Sequence, residues 1–110
     1  MGLFAKGDVV VVPLDFSDFS NYQRRPALVI ATPDGLDPVL AMITSRSRND
    51  GFDVLIASSD FEIGGLRSDS VVRSCHLFTI DSDVIEYRAG KLKQEKTQEV
   101  VDRIIEMLRR

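Results

Sequence analysis

The sequence predicts a mainly β fold: a small, strongly bent barrel closed by one C-terminal helix. Three observations carry that expectation. Short apolar runs rich in β-branched residues recur with turn residues between them. They do not alternate with helical stretches, as repeated βαβ units require. Helical spacing of apolar residues appears only in the final segment.

The first run is Val9-Val10-Val11-Val12, introduced by Lys6-Gly7-Asp8 and bent at Pro13. A polar loop from Asp15 to Gln23 ends in Arg24-Arg25-Pro26, and Ala27 to Ala31 gives the second run. Thr32-Pro33-Asp34-Gly35 is tight-turn chemistry. Val39 to Ile43 forms a third run ending at Thr44, and an arginine-bearing loop from Ser45 to Gly51 follows. Phe52 to Ile56 is a fourth strand with partial alternation. Gly64-Gly65 marks a bend, and Val71-Val72 and Leu77 to Ile80 are two further short pieces. From Gln94 to Leu108, Val100, Val101, Ile104, Ile105 and Leu108 recur at helical spacing, which predicts an amphipathic helix packed on the barrel. Arg109-Arg110 suits its negative dipole end, whereas Lys93 is a poor residue for its N-cap.

The totals narrow the classes of function. At 110 residues, with 44% hydrophobic and 28% charged residues, the chain is expected to form one soluble domain over 1–110. No stretch approaches the roughly 20 apolar residues of a membrane span, and no membrane partner is expected. A single cysteine, Cys75, excludes an internal disulfide. With one histidine it leaves too few soft ligands for zinc, so neither a metal nor another cofactor is expected, and a reducing cytoplasm is the expected setting.

A net charge of −3 argues against broad, non-specific nucleic-acid binding. The placement of the cations says more. Lys6, Lys91, Lys93 and Lys96 lie near the chain ends, whereas Asp15 to Ile80 carries only arginine: Arg24, Arg25, Arg46, Arg48, Arg67 and Arg73. A guanidinium presents paired donors that match phosphate oxygens, which an ammonium does not. Two arginines at the mouth of a strand are therefore a way to hold a phosphate on a rigid support. The competing reading is solvated loop charge paired with Asp50, Asp53 and Asp69.

Five segments in order resemble the MazF/PemK/Kid family of toxin endoribonucleases. They are Lys6-Gly7-Asp8-Val9-Val10, Arg24-Arg25-Pro26-Ala27-Leu28-Val29-Ile30, Ile43-Thr44-Ser45, Ser70-Val71-Val72-Arg73 and Leu77-Phe78-Thr79-Ile80-Asp81. The resemblance spans nearly the whole chain. It implies an SH3-like barrel of the CcdB/PemK/MazF type, a cytoplasmic homodimer, metal-independent cleavage of single-stranded RNA, and a cognate antitoxin peptide laid over the RNA groove. It further implies Arg25 and Thr44 as the catalytic pair and Arg73 as a site residue. Where some members carry an acidic residue two positions after that arginine, this chain has Cys75, which leaves the general base open between Asp18 and water.

Chemistry assigns the roles. An always-charged Arg25 is a poor base and a good stabiliser of a phosphorane, and Thr44 is a hydrogen-bond donor. Arg24, Arg46 and Arg73 are expected to bind RNA. The loop residues Asp18, Phe19, Ser20, Asn21 and Gln23 are expected to shape specificity. Phe19 and Tyr22 either stack on bases, each worth about 1–3 kcal/mol, or form a lid on the barrel. Arg25 pairing with Asp18, and Thr44 as an ordinary strand-end hydroxyl, are the competing readings. His76 is expected to be structural. A rival of another class is the CcdB branch of the same barrel, which poisons DNA gyrase through an apolar helix tip; the ending Met107-Leu108-Arg109-Arg110 does not favour it. A second rival is a binding module that keeps the barrel and leaves RNA intact.

Overall fold

The computed structural model describes residues 3–14, 23–46 and 51–110. Seven antiparallel strands form one curled sheet, a half-barrel closed by a helix. In chain order they are β1 (Asp8–Leu14), β2 (Gln23–Ala31), β3 (Val39–Thr44), β4 (Asp53–Ile56), β5 (Phe61–Gly64), β6 (Ser70–Thr79) and β7 (Tyr87–Leu92), followed by α1 (Gln94–Leu108). Across the sheet the order is β4-β6-β3-β2-β1-β7-β5, so β4 and β5 are the edges and β2 and β3 are interior. Among the described residues no helix is long and apolar enough to cross a membrane.

Side chains alternate between the two faces of a strand, and here both faces are covered. That is why Val9 to Val12 read as an unbroken apolar run. Val9, Leu28, Ala41, Ile43, Val54, Ile56 and Val72 join Val100 and Ile104 of α1 in one core. Val10, Val12, Ala27, Val29, Leu40 and Ile85 form a second core on the other face, with Phe4, Phe78 and Ile80 against it.

The Lys6-Gly7-Asp8 motif proves to be a structural corner. Gly7 adopts φ +98°, open to glycine at little cost. Its N–H donates to the Val29 carbonyl (2.8 Å), and its carbonyl accepts from the Leu92 N–H (3.0 Å). Asp8 is buried; it accepts the Ala5 N–H at 2.8 Å and lies 3.6 Å from the Arg88 guanidinium.

Two strands escaped sequence reasoning, β5 and β7, and one was split. Gly64, expected at a bend, ends β5 at φ +65°, where a Cβ would stand 2.2 Å from the Ala89 carbonyl oxygen. β6 is continuous from Ser70 to Thr79, yet its ladder with β3 slips: Ala41 faces Leu77 while Met42 faces Arg73. Ser74, Cys75 and His76 occupy the slip, which is why two separate pieces were read there.

The helix runs from Gln94 to Leu108 as expected, packed on β6 and β4. Its buried line is Thr97, Val100 and Ile104, while Ile105 and Leu108 are exposed. Ile105 lies about 100° round the helix from Ile104, off the buried face. Lys93 contributes no side-chain cap; its carbonyl instead accepts the Thr97 N–H at 3.0 Å, and its N–H donates to Asp60. Arg110 lies over the Phe52 ring, 5.5 Å from its centroid.

Candidate functional site

The ladder registers assemble two neighbouring rows of side chains across one face of the sheet. The first runs Asp53, Arg73, Met42, Ala27, Val10 and Arg88, each opposite the next on adjacent strands. The second lies two residues further along. It pairs Leu55 with Val71, Val71 with Thr44, and Arg25 with Val12. Continuing the β2–β3 register two residues past Ala27 and Met42 sets Arg25 opposite Thr44. Opposed residues on neighbouring strands have Cβ atoms about 4.5–5.5 Å apart, and diagonal neighbours about 7–8 Å. Arg25 and Thr44 thus lie on one face, two residues beyond the last β2–β3 pair of Ala27 and Met42, with Arg73 on the diagonal from Thr44.

Each side chain is held differently. Arg25 is half-buried, with its Nε shut from solvent at the rim of the second core. Thr44 is half-buried at the end of β3, and its Oγ1 accepts the Arg46 N–H at 3.3 Å. A hydroxyl that accepts in this way still carries a proton to donate. The Arg73 side chain is 18% exposed, and its Nε–H donates to Asp53 Oδ1 at 3.4 Å; the Asp53 side chain is 8% exposed.

The remaining expected residues divide. Gln23 is two residues from Arg25 on β2 and falls on the same face by alternation. Arg46 is exposed just beyond Thr44. Arg24 is one residue out of phase with Arg25 and so belongs to the opposite face. Its side chain is 65% exposed and ion-paired with Glu86 at 2.6 Å. Asp18, Phe19, Ser20, Asn21 and Tyr22 lie outside the described residues. Cys75 is exposed in the β6 slip, and half-buried His76 makes an edge-on contact with Phe78, centroids 6.1 Å apart.

Asp53 and Glu86 were not singled out in the sequence as site residues. Asp53 carries a signal, as the polar start of the alternating Asp53-Val54-Leu55-Ile56; Glu86 precedes a strand that sequence reasoning did not find. Among the described residues no three His, Cys, Asp or Glu side chains gather as a metal site. Chemically, the face offers fixed guanidinium charge beside a hydroxyl on interior strands, an arrangement suited to an oxyanion.

Comparison with known proteins bears on the family and the fold. Residues 5–108 match the family model described as the PemK-like, MazF-like toxin of type II toxin-antitoxin system. Among solved structures, the Mycobacterium tuberculosis toxin MazF-mt6 superposes with a TM-score of 0.72 at 21% identity, covering 93% of this chain and 96% of that one. An endoribonuclease from a mycobacterial species gives 0.74 at 17% identity, covering 98% and 93%. The Deinococcus radiodurans MazE-MazF complex gives 0.71 at 24%, covering 94% of each chain. No curated protein sequence matches the chain. With the family match spanning nearly the whole length and the half-barrel shared, this chain belongs to the PemK-like, MazF-like toxins of type II toxin-antitoxin systems.

Proposed function

We propose that this toxin is an endoribonuclease that cleaves single-stranded RNA without a metal, acting as one domain over 1–110. The observation that supports this is the strand register that puts Arg25, Thr44 and Arg73 on one face of the sheet. In the reaction, the 2′-oxygen bonds to the adjacent phosphorus and the bond to the 5′-oxygen breaks. The products are a 2′,3′-cyclic phosphate and a 5′-hydroxyl end. Arg25 stabilises the charge that grows on the phosphoryl oxygens, a donor placed where the transition state needs it. Thr44 donates a hydrogen bond to one of those oxygens, and Arg73 anchors the phosphate. The proton leaving the 2′-hydroxyl passes to Asp18 or to water, and the departing 5′-oxygen takes up a proton from water to become the 5′-hydroxyl.

A rim where Gln23 and Arg46 are exposed beside half-buried Arg25 and Thr44 suits a long polymer, whereas a 520 Å³ cavity elsewhere is lined by Asp102, Ile105, Glu106, Arg109 and Arg110 of the helix end. Gln23, Arg46 and the loop residues Asp18 to Asn21 bind RNA around the reacting phosphate. Arg24, committed to Glu86, contributes a weak outer contact. Arg24→Ala is expected to weaken RNA affinity less than about fivefold, in line with an exposed ion pair worth about 0.2–1 kcal/mol; fluorescence anisotropy with labelled RNA measures it. The protein works as a homodimer in the cytoplasm and is silenced by an antitoxin peptide. That last reading is supported by a structural neighbour, an endoribonuclease solved in complex with its cognate antitoxin.

The deciding experiment incubates purified protein with a mixed RNA pool and sequences the 5′ ends of the fragments. Cuts at a recurring short motif, with 5′-hydroxyl ends that ligate only after phosphorylation, are the expected result. EDTA should leave the rate unchanged. RNA left intact at high protein concentration, or cleavage abolished by chelator, overturns the reading.

A further inference from the structure

We propose that Asp53 is a positioning residue for RNA cleavage, holding the Arg73 guanidinium on the reacting face from the neighbouring strand. The inference rests on the functional reading just given and adds a residue to it.

Asp53 opens β4 and stands directly opposite Arg73 on β6. On this short edge strand, Val54 and Ile56 turn into the first core, so Asp53 and Leu55 belong to the other face, the one that carries Arg25 and Thr44. An acid there adds nothing to apolar packing. Its carboxylate nevertheless lies almost wholly out of solvent, 3.4 Å from the Arg73 Nε. Withdrawing a carboxylate from water is unfavourable unless a cation and hydrogen bonds compensate it. The pair is therefore a fixed local arrangement and not a passing surface contact.

The geometry bears on function through the shape of the guanidinium. It is planar, with its donors in a rigid fork at the end of a flexible stem. A carboxylate on Nε defines the direction of that plane before substrate arrives. The fork is then fixed on the face that carries Thr44 instead of being ordered anew at each turnover. Preorganised donors act on the transition state without reorganisation, whereas donors ordered on binding lose part of that advantage. Asp53 is also an anion beside an RNA-binding face. If it were only a leftover charge, removing it would tighten RNA binding by lifting repulsion, so the two roles have opposite signatures.

A double-mutant cycle of D53N, R73A and the combined variant tests the inference, with single-turnover cleavage of the RNA that wild type cuts. Circular-dichroism melts establish that each variant is folded at the assay temperature. D53N is expected to slow the chemical step about tenfold, less than the hundredfold that misplacing a reacting group can cost. The combined variant should be no slower than R73A alone, within about twofold, because Asp53 acts through Arg73. Cleavage by D53N at the wild-type rate overturns the proposal; so do losses that multiply in the combined variant.

The same cycle is read on affinity for a short single-stranded 2′-O-methyl oligonucleotide pool, which lacks the attacking hydroxyl. D53N should weaken binding a few-fold in the presence of Arg73 and leave it unchanged in its absence. Tighter binding by D53N, or equal shifts in both backgrounds, sinks the idea. If wild type cuts no RNA, the ribonuclease reading fails, and the binding cycle alone then decides whether Asp53 orients Arg73.

Discussion

Arg25→Ala is expected to leave the fold intact and to lower the rate of RNA cleavage by at least about two orders of magnitude, the loss typical of removing a preorganised charge-stabilising donor. The rate is read in single-turnover cleavage with saturating protein, which separates chemistry from binding. Arg25 sits on an interior strand opposite Val12, half-buried at the edge of an apolar cluster. Its truncation removes a cation and shortens a stem without opening the core, so the thermal midpoint should move by only a few degrees. Affinity for RNA should fall far less than the rate, because Arg73 and Arg46 remain to hold phosphates. Arg25→Lys keeps the charge and loses the planar fork, and it should recover only part of the rate. A variant that cuts as fast as wild type removes Arg25 from the mechanism.

Leu28→Ala should show the opposite pattern, costing stability while sparing chemistry. Leu28 is fully buried in the middle of β2, opposite Val9 on one side and Ala41 on the other. Truncating a leucine at such a site costs about 2–5 kcal/mol, part from lost transfer and part from the cavity left behind. For a chain of this size that lowers the melting temperature by roughly 10–20 °C. Urea titration should move the midpoint down with little change in slope, since the surface exposed on unfolding is nearly the same. At low temperature, where most molecules stay folded, the cleavage rate per folded molecule should match wild type. A loss of rate out of proportion to the unfolded fraction would mean that Leu28 sets the geometry of Arg25, three residues away.

Legibility in the sequence followed the strength of local patterns. The four runs that became β1 to β4 were bounded by Gly, Pro and Asp and filled with Val, Ile and Leu, and the helix announced itself by its period. β7, with Arg88, Ala89, Gly90 and Lys91 at its centre, has little intrinsic strand preference. It exists because β1 and β5 pair with it on either side. Gly90 permits that approach, since a Cβ there would meet the Ile63 carbonyl oxygen at 2.5 Å. Arg25, Thr44 and Arg73 were singled out through motifs that resemble a known family. Their closeness was not, because it depends on strand registers that no local pattern encodes. The same gap hid the Asp53–Arg73 pair, whose members lie 20 residues apart in sequence. It also hid the commitment of Arg24 to Glu86, 62 residues away.

The interior position of β2 and β3 bears on how such a toxin is kept quiet. Arg25 is held by the pairing of β2 with β1 and Thr44 by the pairing of β3 with β6, so moving either residue's backbone disturbs central ladders that open only near global unfolding. An inhibitor with ordinary affinity cannot supply that much work by bending the protein. On the functional reading proposed above, an inhibitor acts by occlusion, covering Arg25 and Thr44 without rearranging the sheet, and its departure restores activity with no refolding step.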